Sequence, residues 1–219
     1  MKEYIDTMKK ASIFSGIDDG EIDSMLDCLG ARTESYSKGT YILRDGEDPM
    51  AVGLLLIGSV FVIKEDYWGN RNIRATITPG QVFAEAFACV EGAVMDVSVV
   101  AEKDSLVMWL DAGRILNTCP SACLFHQRMI RNLLSDLAEH DLKLNEKLSH
   151  ITKRTTREKL LSYLSAEARR QGKSELYISL NRQQLADYLS VERSAMSAEL
   201  SRMQKDGLLT TNRNFFILK

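Results

Sequence analysis

The chain has 219 residues, 45% of them hydrophobic, which is enough for one large and one small domain, each with its own core. No apolar run approaches a membrane span and the opening MKEYIDTMKK lacks the long apolar core of a signal peptide, so a membrane protein is excluded and a cytoplasmic one expected. The net charge of −2 conceals an asymmetry: from Thr152 onward there are 13 Lys+Arg against 7 Asp+Glu, and before it 15 against 23, so a module of about +6 follows a body of about −8.

In chain order, Ile22, Met25, Leu26 and Leu29 predict a short amphipathic helix over residues 18–29, ended by Gly30. From residue 31 to 111, short apolar runs at 40–43, 52–57, 60–63, 73–77, 97–100 and 106–110 alternate with turn signals, among them Gly39, Gly46, Gly58 and Pro79-Gly80. Many short strands at this spacing predict a closed or double-sheet β structure. The run PGQVFAEAFAC (79–89) joins a strand end to a short helix whose backbone amides could face an anion.

Cys119-Pro120-Ser121-Ala122-Cys123 opens a long helix, with Pro suited to a first turn and Ser121 to capping. Along that helix Ile130, Leu134, Leu137, Asp141, Leu144, Leu148 and Ile151 recur at alternating spacings of four and three, the pattern of a two-stranded coiled coil and hence of a homodimer axis. A wider stripe using Leu133 and Leu142 could instead pack the helix on its own domain. Asp141 interrupts the seam, where a polar residue can set register. Thr152 breaks the stripe. A helix follows over 154–170 with Leu160, Leu161 and Leu164 inward, ending at Gly172, then a short strand at 176–178.

The stretch NRQQLADYLSVERSAMSAELSRMQKDG (181–207) fits two short helices broken at Ser190, a helix-turn-helix with Asn181 as N-cap and Gly207 as terminator. The second helix buries Met196, Leu200 and Met203 and turns outward Arg193, Ser194, Ser197, Ser201 and Arg202, donors suited to base edges in a major groove. LLTT-NRN-FFIL then reads as a β-hairpin wing turning at Asn212, Arg213 and Asn214. An αα-hairpin buried in a core would have the same two helices. The polar outer face, the wing and the basic charge favour DNA instead.

The stretches RTTREKLLSYLS (154–165) and SLNRQQLADYLSVERSAMSAELSRMQKDGLL (179–209) resemble the DNA-binding domain of bacterial Crp/Fnr-family transcription regulators, and the likeness extends over nearly the whole chain. It implies an α+β fold: a jelly-roll (double-stranded β-helix) sensor barrel of the cyclic-nucleotide-binding type over 1–118, a dimerisation helix over 119–151 and a winged helix-turn-helix over 152–219. It also implies an effector pocket around Phe83, Glu85, Ala86, Met95 and Ser98, with His140 and Asp141 meeting the effector from the long helix. Glu85 matches the family glutamate that takes a ribose hydroxyl, although a solvated carboxylate at a helix start would look the same. Where the cyclic-AMP binders of the family place a phosphate-pairing Arg, this chain has Met95, followed by Asp96, so cyclic AMP is disfavoured and the effector is an unknown small molecule.

For DNA, Asn181, Arg182 and Gln183 match family phosphate contacts, with Arg213 of the wing beside them, and Arg193, Ser194, Ser197 and Arg202 would meet bases. Ala198 stands where Crp and Fnr carry an Arg, so their operator does not transfer, and Ser190 replaces the turn glycine. The partners expected are double-stranded DNA with a pseudo-palindromic site, a second copy of the chain, and RNA polymerase for an activator. No cofactor is expected. Two other functions compete. A redox regulator would use Cys28, Cys89, Cys119 or Cys123, although Cys28 alone precedes the barrel and an Fnr-type cluster lacks its ligands. A cupin-like metalloenzyme would need histidines in the barrel, and His126, His140 and His150 all lie on the long helix.

Overall fold

The computed structural model describes residues 2–117 and 124–219. The chain divides into two compact units, Met1–Ala138 and Glu139–Lys219.

The first unit opens on helical turns that the periodicity does not announce: a 3-10 turn at Lys2–Tyr4, helix α1 (Ile5–Met8) and a second 3-10 turn at Ser12–Phe14. They bury Met8, Ala11, Ile13 and Phe14. Helix α2 (Asp19–Cys28) follows as expected, and its first turn is closed by the Glu21 carboxylate accepting from the Asp18 N–H at 2.9 Å.

Eight strands then form two antiparallel sheets. They are β1 (Arg32–Tyr36), β2 (Tyr41–Leu43), β3 (Ala51–Ile57), β4 (Val60–Glu65), β5 (Arg71–Ile77), β6 (Val82–Phe83), β7 (Ser98–Ala101) and β8 (Ser105–Asp111), with helix α3 (Glu85–Ala88) between β6 and β7. The sheet orders are β1-β8-β3-β6 and β2-β7-β4-β5. The six apolar runs of the sequence are all strands. Polar β1 (RTESY) was not legible, because it is an edge strand with four of its side chains exposed.

Strand β3 reads AVGLLLI rather than alternating because both of its faces are covered. Val52, Leu54 and Leu56 join Met108 and Leu110 of β8 under the N-terminal turns and α2, whereas Leu55 points into the sandwich with Val60, Phe83, Met95, Val99, Val107 and Trp109. Gly53 is the one residue of that run without a side chain, and a Cβ there would lie 2.3 Å from the Phe83 ring. Helix α4 (Ala112–Leu116) closes the sandwich, and α5 (Leu124–Ile151) adds Met129 and Leu133 to the first core. The helix opening expected at residues 119–123, with Cys119 and Cys123, lies outside the described residues.

In the second unit, α6 (Thr156–Gln171) is capped by Thr155 and stops at left-handed Gly172. After it come β9 (Glu175–Tyr177), α7 (Arg182–Tyr188), α8 (Arg193–Lys205), β10 (Leu209–Asn212) and β11 (Phe215–Leu218), the strands forming a sheet in the order β10-β11-β9. Helices α6, α7 and α8 and the wing enclose one core around Leu164, Leu185, Met196, Leu200 and Phe216. The expectation for Leu161 is corrected. It is 37% exposed, and Tyr163 takes the inward place on α6 beside Leu160 and Leu164. The sixteen-residue helix shows the core a face that Leu161 lies outside.

Candidate functional site

Helix α7 starts where the Asn181 side chain accepts from the Gln184 N–H at 3.0 Å, and the Gln184 side chain accepts in return from the Asn181 N–H at 2.9 Å. Ser190, at φ 51°, turns the chain in the left-handed conformation between α7 and α8. Lys159 of α6 braces that turn, its ammonium donating to the carbonyls of Leu189 and Ser190 at 3.2 and 3.3 Å.

Helix α8 has 13 residues and is therefore about 20 Å long. Met196, Leu200 and Met203 anchor its inner face. Arg193, Ser194, Ser197, Ala198, Ser201 and Arg202 lie exposed on the other. The hydroxyls of Ser197 and Ser201 donate back to the carbonyls of Arg193 and Ser197 at 2.9 and 3.0 Å, while the Arg193 guanidinium meets no carboxylate among the described residues. The helix begins on Glu192, whose carboxylate accepts from the N–H groups of Ser194 and Ala195 at 3.1 and 2.9 Å and from the Ser194 hydroxyl. Those bonds, the Ser194 hydroxyl first, hold its pKa below the ordinary glutamate value. A carboxylate at a helix N-terminus satisfies free amides and the dipole, and here it also occupies a predicted base-reading hydroxyl.

The remaining predicted DNA contacts are distributed as follows. Arg182 lies over the Phe216 ring, 4.8 Å from its centre, and donates through Nη2 to Thr211 Oγ1 at 2.7 Å. Its Nη1 is buried without a partner, and burial lowers its pKa. Gln183 donates to Asp187 at 2.8 Å, and Arg213 forms the wing turn at φ 51°. Arg202 pairs with Glu199 at 2.8 Å.

Glu199 is a buried carboxylate that also accepts from Arg157 Nε at 2.6 Å, and Arg157 reaches Asp206 at 2.6 Å. This network ties α6 to α8 and was missed in the sequence, because its members stand 42 and 49 residues apart. The Arg157 and Arg202 side chains are 37% and 65% exposed, so water screens both pairs and Glu199 is worth less than a member of a fully buried pair. Replacing Glu199 with alanine is expected to lower the stability of this unit by about 2 kcal/mol, read as a lower urea midpoint at unchanged slope. An unaltered midpoint would mean that the network contributes nothing.

In the first unit, Phe83 and Met95 are buried in the sandwich core, Phe83 edge-on to Trp109 at 5.6 Å. The Met95 backbone is pinned between Glu47 and Gly46 at 2.7 and 2.8 Å. Ser98 is buried and its hydroxyl accepts from the Asp45 N–H at 3.0 Å. Glu85 starts α3 half-buried after Ala84 at φ 63°, with Ala86 exposed. His140 and Asp141 lie exposed on α5 in the second unit, where Asp141 accepts from Asn145 at 2.9 Å.

His126 is buried with Nε2 2.9 Å from the Ile115 carbonyl. Burial first, then the Glu85 carboxylate, raises the pKa of Cys89, which disfavours the thiolate. Among the described residues no group of three or more His, Cys, Asp or Glu is arranged to hold a metal ion, and no helix is long and apolar enough to cross a membrane.

A family model described as a Crp-like helix-turn-helix domain matches residues 158–219, and one described as a cyclic nucleotide-binding domain matches residues 33–121. Among solved structures, the catabolite activator protein of Thermus thermophilus is 21% identical, with a TM-score of 0.53, and the match covers 95% of this chain and 94% of that one. DNR from Pseudomonas aeruginosa is 18% identical with a TM-score of 0.51, covering 100% and 95%. At these identities the likeness is one of fold. The cGMP-dependent protein kinase 2 of Homo sapiens is 22% identical over 149 residues, 68% of this chain but 19% of the kinase. The chain thus spans about a fifth of the length of that curated relative.

Proposed function

Because the chain belongs to the Crp/Fnr family of transcription regulators, pairing a cyclic-nucleotide-binding-like sensor with a Crp-like helix-turn-helix, we propose that it acts as an effector-controlled homodimer on a pseudo-palindromic DNA site. In each subunit α8 enters a major groove, and the two-fold axis sets half-sites about one helical turn apart. Arg193, Ser194, Ser197 and Arg202 face the bases; Asn181, Arg182, Gln183 and Arg213 meet the phosphates and set the docking. Arg202 and Ser194 are partly engaged by Glu199 and Glu192, which leaves Arg193 as the reader with the least to break.

The single observation that carries this function is the two-sidedness of α8. Its apolar face is fully anchored, and its outer face presents an uncommitted guanidinium among small polar side chains. The dimer is supported by an exposed apolar row along α5, and the cytoplasm is the compartment that suits a DNA-binding chain. For the sensor, we infer a small-molecule effector in the sandwich around Phe83, Glu85, Ala86, Met95 and Ser98, with cyclic AMP disfavoured. In support, Met95 fills apolar core where a phosphate would need a cation. An activator would in addition meet RNA polymerase.

Combining Arg193→Ala with Ser197→Ala is expected to reduce affinity for an operator selected from random duplexes by about 100-fold, since each lost base contact costs about 1–3 kcal/mol, and to relax its sequence preference. Affinity and preference both unchanged would overturn the proposed reading helix. Titrating cyclic AMP, cyclic GMP and small molecules co-purifying with the native protein against operator affinity tests the sensor.

A further inference from the structure

The second unit contains a cavity that the DNA-reading function leaves unused. Its volume is about 240 Å³ and its walls come from four segments: Glu146 and His150 near the end of α5, Tyr163, Glu167 and Arg170 of α6, Ser179 and Leu180 of the following loop, and Tyr188, the last residue of α7. It therefore joins the helix that ends just before Thr152 to the first helix of the reading motif.

Three aromatic rings meet there edge-on or tilted. His150 stands edge-on to Tyr163 at 5.7 Å, Tyr163 edge-on to Tyr188 at 5.4 Å, and His150 tilted to Tyr188 at 6.4 Å. His150 is 3% exposed, its Nδ1 lies 2.8 Å from Ser162 Oγ, and burial lowers its pKa, so the ring is neutral near pH 7. The buried Glu167 carboxylate is already satisfied by Arg170 Nη2 at 2.7 and 2.6 Å and by Gln171 Nε2 at 3.1 Å. Glu146 makes no ion pair among the described residues; its carboxylate is exposed at the rim of the cavity, within electrostatic reach of Arg170. The Lys147 ammonium stands 5.4 Å from the Tyr188 ring centre, so a cation of the chain itself already uses this ring.

Aromatic rings, one of which already holds a cation of the chain, an exposed carboxylate without an ion pair and a small volume suit one class of occupant. An anion would find the Arg170 guanidinium already taken by Glu167 and would meet the Glu146 carboxylate, and a neutral apolar molecule would draw nothing from that charge. We propose that this cavity binds a compact organic ammonium ion, held by cation–π contact with Tyr163 and Tyr188 and by the Glu146 carboxylate. The occupant bridges the end of α5 and the end of α7, so binding braces the seat of the reading motif from a site separate from the sensor sandwich.

The test is calorimetric titration of the full chain, without DNA, with choline and with putrescine, alongside the carbon isostere of choline in which a tert-butyl group replaces the trimethylammonium. One saturable site per chain is expected for at least one cation, with the isostere bound about tenfold more weakly or not at all. Glu146→Gln, a change at an exposed side chain that leaves the core intact, and Tyr188→Leu are each expected to weaken cation binding about tenfold, and Tyr188→Phe to retain it. The proposal is overturned by an isostere that binds as tightly as choline, by unchanged affinity in Glu146→Gln, or by the lack of saturable uptake of either cation. Operator binding by the untreated protein is independent of all three results, so the regulator function and this site stand or fall separately.

Discussion

Replacing Leu144 and Leu148 together with lysine is expected to yield a monomer whose affinity for the selected operator falls by about 10²- to 10⁴-fold, the advantage that a second linked binding event normally supplies. Leu134, Leu144 and Leu148 are 65%, 60% and 49% exposed on the single chain, at heptad spacing on the same helix that commits Met129 and Leu133 to the first core. The helix thus carries two apolar stripes, of which one is used within the subunit. Leu137 packs partly against that core and so takes part in both. Lysine pairs across a coiled-coil seam would bring like charges out of water without partners, which no rearrangement of neighbouring leucines offsets. Sedimentation equilibrium reads the assembly state and a gel-shift titration the affinity. A wild-type protein that is already monomeric would overturn the dimer, and a double variant that stays dimeric would place the two-fold axis elsewhere.

Gly58→Ala is expected to destabilise the protein by about 3 kcal/mol or more, a large part of the roughly 5–15 kcal/mol that a domain possesses. Gly58 connects β3 to β4 at φ +95°, and a Cβ there would lie 2.3 Å from Ser105 Oγ, 2.5 Å from the Asp104 carbonyl and 2.8 Å from Ser105 Cα. The last two are backbone atoms, held because the Ser105 hydroxyl donates to the Lys103 carbonyl at 2.7 Å and the Glu102 N–H to the Ser59 carbonyl at 2.8 Å. Left-handed strain of about 1–2 kcal/mol and overpacking of about 1–3 kcal/mol therefore act together. Gly46→Ala, at φ +88° with nothing within 4 Å of its Cβ, separates the two causes, since the strain alone should act there. Equal urea midpoints for the two variants would mean that the contact with β8 is not rigid.

The elements that were legible in the sequence have local causes. Asn181 and Gly207 bracket the two helices of the helix-turn-helix because capping and left-handed dihedrals are properties of a residue and its near neighbours. The 3.6-residue spacing of Met196, Leu200 and Met203 gives the buried face of α8 for the same reason. Apolar runs of β3, β7 and β8 announced a covered sheet without naming what covers it.

Amino-acid order by itself determined that a sheet-rich acidic unit precedes a basic helix-turn-helix with a wing, because periodicity, caps, turns and charge are additive over short stretches. Tertiary structure alone decided that polar β1 is a strand, since an edge strand needs a partner and not an apolar face. It decided that Tyr163 rather than Leu161 faces inward, that Arg182 stacks on Phe216, and that Glu199 gathers Arg157 and Arg202. It also brought His150, Tyr163 and Tyr188 around one cavity. Each of these joins residues on separate elements, and the free energy of such a contact depends on distance and on exclusion from water, which folding creates and chain order does not record.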